Sequence, residues 1–140
     1  MSTLRVDNLK GKTTANTMTV LAGHATDSTT TTNLEQGLCK SWINFNGTGT
    51  IATRDSFNVT GITDNGTGDH SITIANDMNN TNYCHAGSSG GQSSTSNGSA
   101  YPYDQSTART ATLFRVLTFT TGGTVTDPPF IEVHVMGDLA

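Results

Sequence analysis

Charge is scarce in this chain: Asp, Glu, Lys and Arg make up 13% of its 140 residues, about half the share of an ordinary globular protein. The formal net charge is −4 and Lys and Arg nowhere cluster, so the chain lacks the basic face that neutralises phosphates, and nucleic acid is not an expected partner. No run approaches the roughly 18 apolar residues of a membrane span, and the opening Met1-Ser2-Thr3-Leu4-Arg5-Val6-Asp7 has no signal-peptide core. These absences lead us to expect assembly in a reducing cytoplasm without membrane insertion. There the two cysteines, Cys39 and Cys84, read as buried small hydrophobes rather than as a disulfide. Helix-forming residues at 3.6 spacing are missing as well, beyond the first few positions.

Chemistry-bearing patterns are equally thin. His24, His70, His85 and His134 stand more than four residues apart, without the close pairs that mark metal sites, so neither a metal nor another cofactor is expected. His134 would reach an ion only as one of three copies on a three-fold axis; an ordinary exposed histidine is the simpler reading. There is no Gly-x-Ser-x-Gly, and Ser56 has no identifiable histidine partner. Asp55, Asp64 and Asp69 lie close in sequence, as a hydrolase pair or a calcium loop would require, but Asp in turn-rich segments more often bonds its own backbone. Asp64-Asn65-Gly66-Thr67-Gly68-Asp69 also lacks the spacing and closing Glu of an EF-hand. An enzyme is therefore not expected.

What the chain has is threonine, roughly a fifth of all residues, with 15 glycines and abundant Ser and Asn. Threonine is β-branched and favours strands, whereas Gly, Asn and Ser mark turns. The expected fold is all-β, an antiparallel sandwich or jelly-roll-like head of six to eight short strands. Residues 1–35 read as an extended N-terminal arm, with the short apolar stretches Leu4/Val6/Leu9 and Met18/Val20/Leu21 parted by polar runs and followed by Thr29 to Thr32. Such strands need a partner. Residues 36–140 read as the head domain.

Within the head, Trp42, Ile43 and Phe45 form a run that stops at the turn signal Asn46-Gly47. Phe57 and Val59 alternate, and the phase then slips at Thr60-Gly61, as at a bulge. Asp64 to Gly68 reads as a hairpin turn, its glycines and Asn65 tolerating positive φ, and the returning strand carries Ile72 and Ile74. Tyr83 to Ala86 reads as another short strand, and Gly87 to Ala100 as a surface loop too poor in apolar residues to build a core. Leu113 to Phe119 is expected to be a central strand covered on both sides. In the last strand Ile131, Val133 and Val135 should face inward, leaving Glu132, His134 and Met136 outward. A binding role falls on the Gly/Ser loop, represented by Ser93 and Asn97, with Tyr101 and Tyr103 held around Pro102 at its foot. Aromatic faces beside adaptable polar groups suit a glycan or protein surface.

Residues 40 to 73 read KSWINFNGTGTIATRDSFNVTGITDNGTGDHSIT, which resembles a segment of tail-fibre and other virion proteins of tailed bacteriophages. The shared features are an aromatic strand at Lys40 to Phe45, the turn Asn46 to Thr50, the strand Arg54 to Val59 and the hairpin Asp64 to Asp69. Leu4 to Leu9 is similar to the opening of such proteins, and Ile131 to Gly137 to their closing strand. His70 stands where the family usually has Tyr, Thr53 replaces an apolar residue, and the Gly/Ser loop departs from the pattern. The resemblance implies a structural virion protein, a fibre, spike or decoration subunit. It further implies a homotrimer joined to other virion proteins through residues 1–35, with no catalytic residues, and for some members contact with the host surface. The alternative is a carbohydrate- or receptor-binding module acting through Tyr101 and Tyr103.

Overall fold

The structure is a computed structural model that describes residues 19–21, 31–33, 37–91, 103–104, 109–120 and 122–140. The chain divides into two compact units, Met1–Leu38 and Cys39–Ala140. The first holds a two-stranded antiparallel hairpin, β1 (Thr19–Leu21) with β2 (Thr31–Asn33).

The second unit is all-β. Its strands are β3 (Ser41–Asn46), β4 (Ala52–Phe57), β5 (Val59–Gly66), β6 (Asp69–Ile74), β7 (Cys84–Gly90), β8 (Tyr103–Asp104), β9 (Leu113–Leu117) and β10 (Phe130–Met136). They form two four-stranded sheets, β4-β3-β10-β7 and β5-β6-β9-β8, in which every pairing is antiparallel. Sequence neighbours β3 and β4, β5 and β6, and β8 and β9 pair within a sheet. The other three pairings, β10 with β3 and with β7 and β6 with β9, join distant parts of the chain, and the arrangement is consistent with a β-sandwich.

Period-two alternation builds the core. Ile43 and Phe45 on β3 and Ile131, Val133 and Val135 on β10 are buried from the first sheet, Ile72 and Ile74 on β6 and Phe114 and Val116 on β9 from the second, and all join one cluster. Each such side chain contributes about 1.5–3 kcal/mol by leaving water. Glu132 and His134 on β10 are exposed, as the alternation requires, whereas Met136 is half-buried.

One residue passes the chain from the first sheet to the second. Asn58, between β4 and β5, has φ of 57°, a left-handed conformation that Asn adopts more readily than other side chains. Its amide holds the corner: Nδ2 donates to the Lys40 carbonyl at 2.9 Å, and Oδ1 accepts from the Asn76 backbone N–H at 2.7 Å. The apparent alternation of Phe57 and Val59 is thus broken in the middle. Phe57 ends 53% exposed on the first sheet, while Val59 packs on the core from the second.

Other expectations meet mixed outcomes. The slip at Gly61 is a register shift between Val59 and Gly61. The β5–β6 turn forms as expected, but positive φ falls on Gly66 and Gly68 and not on Asn65. Strand β7 runs on to Gly90, through residues read from sequence as loop, because main-chain pairing to β10 along Phe130 to Met136 needs no large side chains. Strand β9 is internal to its sheet but well covered on one face only: Phe114 and Val116 are buried, whereas Leu113, Arg115 and Leu117 are half-exposed. Arg115, ion-paired with Asp69, sits on that second face. Both cysteines are free thiols, but Cys84 is exposed and Cys39 half-buried, its Sγ donating to the Ser41 carbonyl at 3.0 Å.

Candidate functional site

Of the four residues expected to bind a surface, Ser93, Asn97 and Tyr101 lie outside the described residues. Tyr103 opens β8, opposite Leu117 on β9, and only its strand position is described. The three carboxylates do not converge. Asp55 belongs to the first sheet and caps the backbone N–H of Ser56 at 2.8 Å; Asp64 belongs to the second and caps that of Gly66 at 2.9 Å. Asp69 makes a two-pronged pair with Arg115, whose guanidinium holds the Asp69 carboxyl below its ordinary value despite the opposing effect of burial. Among the described residues no three His, Cys, Asp or Glu groups are placed to hold a metal ion. His24 lies outside the described residues, and His85 stacks on Phe114 with Nδ1 2.9 Å from the Arg109 guanidinium.

Two places carry unusual physics. At one end of the second unit the β3–β4 turn, the β5–β6 turn, Thr118 and the segment from Thr126 to Pro128 meet. Gly47 N–H donates to the Pro128 carbonyl at 3.0 Å, Thr48 Oγ1 to the Asp127 carbonyl at 3.0 Å, and Gly68 N–H to Asp127 Oδ1 at 2.5 Å. A Cβ on Gly47 would stand 2.9 Å from both Ile131 Cδ1 and the Pro128 carbonyl oxygen, so the β3–β4 turn needs glycine for close approach. His70 lies under this cluster, fully buried, edge-on to Phe45 at 5.2 Å. Neither ring nitrogen has a hydrogen-bond partner among the described residues, and the nearest carboxylate oxygen, on Asp127, is 3.8 Å from Nε2. Burial pushes the imidazole below its ordinary value, against the pull of Asp127, Asp64 and Asp69. Asp127 is the partner that sequence reasoning missed. Its contact with Gly68 spans 59 positions, and no local pattern marks it.

The second place is the outward face of the first sheet. Trp42, 36% exposed, and Phe57, 53% exposed, are register partners on β3 and β4. In the next outward row Asn44 Nδ2 donates to Glu132 Oε1 at 3.0 Å, and Ser88 Oγ to Glu132 Oε2 at 3.2 Å. A register shift between Asn44 and Phe45 brings Arg54 onto this face. Its guanidinium lies 4.2 Å over the Phe130 ring and 3.4 Å from Asn44 Oδ1. Phe130 also covers Gly91, where a Cβ would stand 2.6 Å from the ring, and remains 45% exposed. Sequence pattern did offer a signal here. With Ile43 and Phe45 inward, strand alternation forces Trp42 outward, and large exposed aromatics are informative.

The class that these features define is an all-β domain of two antiparallel sheets with an exposed aromatic face. A scan against protein-family models, a search of curated proteins and a search of solved structures each returned no match.

Proposed function

We propose that the protein is a structural subunit of a tailed-phage virion, a fibre, spike or decoration, that presents the unit Cys39–Ala140 as a head while residues 1–35 serve as an attachment and trimerisation arm. The observation that carries this reading is the division of the chain at Leu38 into two compact units, close to the point where composition changes from thin polar stretches to dense strand pattern. The resemblance over residues 40–73 supports it further. Its aromatic strand is β3, its turn joins β3 to β4, its Arg54 to Val59 run spans the Asn58 corner, and its hairpin joins β5 to β6, so the shared motifs make one continuous stretch of the head rather than scattered similarities.

The reading is of a non-catalytic protein in which low charge and a Thr- and Asn-rich surface suit assembly. Antibody raised against the head and viewed by electron microscopy on intact particles is expected to label projections from the virion. Label found only on unassembled protein in the host lysate would rule the reading out.

A further inference from the structure

We propose that the outward face of the first sheet, centred on Trp42, Phe57, Asn44, Glu132, Arg54 and Phe130, binds a neutral glycan. This site goes beyond the structural role above and does not depend on it.

The order of side chains along the face is what identifies the ligand. Trp42 and Phe57 are opposite one another on adjacent strands and both are exposed, at a position where Cβ atoms lie about 4.5–5.5 Å apart. One outward step along the strands, about 7 Å, come the Asn44 amide and the Glu132 carboxylate, hydrogen-bonded at 3.0 Å. A further step of about 7 Å reaches Phe130 with the Arg54 guanidinium over it at 4.2 Å. An exposed aromatic pair and a row of planar hydrogen-bonding groups thus follow in sequence, bounded by the Phe130 ring, which Arg54 and Gly91 already cover. A sugar chain has the matching chemistry, since the C–H faces of its rings stack on aromatic surfaces while its hydroxyls pair with amide, carboxylate and guanidinium groups.

The same order disfavours a protein or membrane partner. A protein interface has an apolar centre depleted of charge and a polar rim; here Glu132 and Arg54 sit between the aromatic rows. Charge selects a neutral sugar over an acidic one, because Arg54 is set against Asp55 and Glu132 and no basic excess remains for an anionic polymer. The face is also held ready: Asn44, Glu132, Ser88 and Arg54 fix one another, and Phe130 is seated between Arg54 and Gly91, which lowers the ordering cost of binding.

Trp42 is the sole tryptophan, so its fluorescence reports on this face directly. Full-length protein would be titrated with hexamers of α-1,4-linked glucose, β-1,4-linked glucose, β-1,4-linked N-acetylglucosamine and α-1,6-linked mannose, with polygalacturonate as the acidic comparison. At least one neutral hexamer is expected to give a saturable change in emission, polygalacturonate none. Phe57→Ala and Glu132→Ala should each weaken that binding at least tenfold while circular dichroism stays unchanged, and Thr63→Ala on the second sheet should leave it intact. Three results would overturn the proposal: no response to any neutral hexamer at millimolar concentration, binding undiminished in both variants, or an emission change that follows protein concentration alone and tracks dimerisation in sedimentation, which would give the face to a second copy.

Discussion

The two sheets contribute alike to one core, yet their outward faces differ in how polar groups are used. On the second sheet Asp69 and Arg115 bind each other by two prongs, and Asn65 Nδ2 links Asp69 to Ser71 at 3.2 and 2.8 Å. Among the described residues these groups satisfy one another, and no exposed ring lies between them. On the first sheet the polar row is also linked, but it lies between Trp42 and Phe57 on one side and Phe130 on the other, all substantially exposed. A face whose polar groups close on themselves completes a surface. A face that leaves aromatic rings in water beside fixed hydrogen-bonding groups is suited to meeting something else.

Substitutions sharpen that contrast between inside and outside. The largest effect belongs to the core under the first sheet, where Phe45→Ala is expected to cost about 3–5 kcal/mol in denaturant unfolding; a cost below about 1 kcal/mol would mean that the sheets do not share the packing described. Next comes the corner that separates the sheets. Asn58→Ala combines a non-glycine left-handed residue with the loss of the bonds to Lys40 and Asn76, a cost of about 2–4 kcal/mol measurable as a shift in the midpoint of urea unfolding at constant slope.

His70 gives a smaller, pH-dependent effect. The unfolded chain takes up its proton near the ordinary histidine value of 6.5 and the folded chain only at lower pH, so over that window the unfolded state holds more protons and stability falls as pH falls. Thermal melts between pH 7.5 and 5 should show this decline, and His70→Leu should flatten it; an unchanged slope in the variant would assign the decline to other groups. The smallest effect is on the outside. Phe57→Ala should alter stability by no more than about 0.5 kcal/mol, although its register partner's neighbour Ile43 is buried. A loss of several kcal/mol would mean that Phe57 is a packing residue, and the contrast between the faces would fail.

Legibility from sequence followed the physics of each segment. Strands β6 and β10 announce themselves because Ile72/Ile74 and Ile131/Val133/Val135 repeat at period two against polar neighbours. The bulge at Gly61 was readable for the same reason, as a break in a clear phase. Of strand β7 only the start, Cys84 to Ala86, was readable, since Gly87-Ser88-Ser89-Gly90 has no apolar signal and is defined by backbone pairing to β10. The Arg54 bulge hid in the polar stretch Thr53 to Ser56, where no alternation exists to be broken. That Phe57 and Val59 belong to different sheets was not legible, because the break between them rests on a single left-handed residue, Asn58. Contacts such as Asp127 with Gly68 join distant parts of the chain and leave no local trace. The outward placement of Trp42 follows from strand alternation, given the inward placement of Ile43 and Phe45.

The central proposal is that this chain is an assembled, surface-presenting subunit, and its mass in solution tests that most directly. Multi-angle light scattering on the full-length protein at micromolar concentration is predicted to give three times the 14.7 kDa of one chain. A clean monomer at that concentration would contradict it.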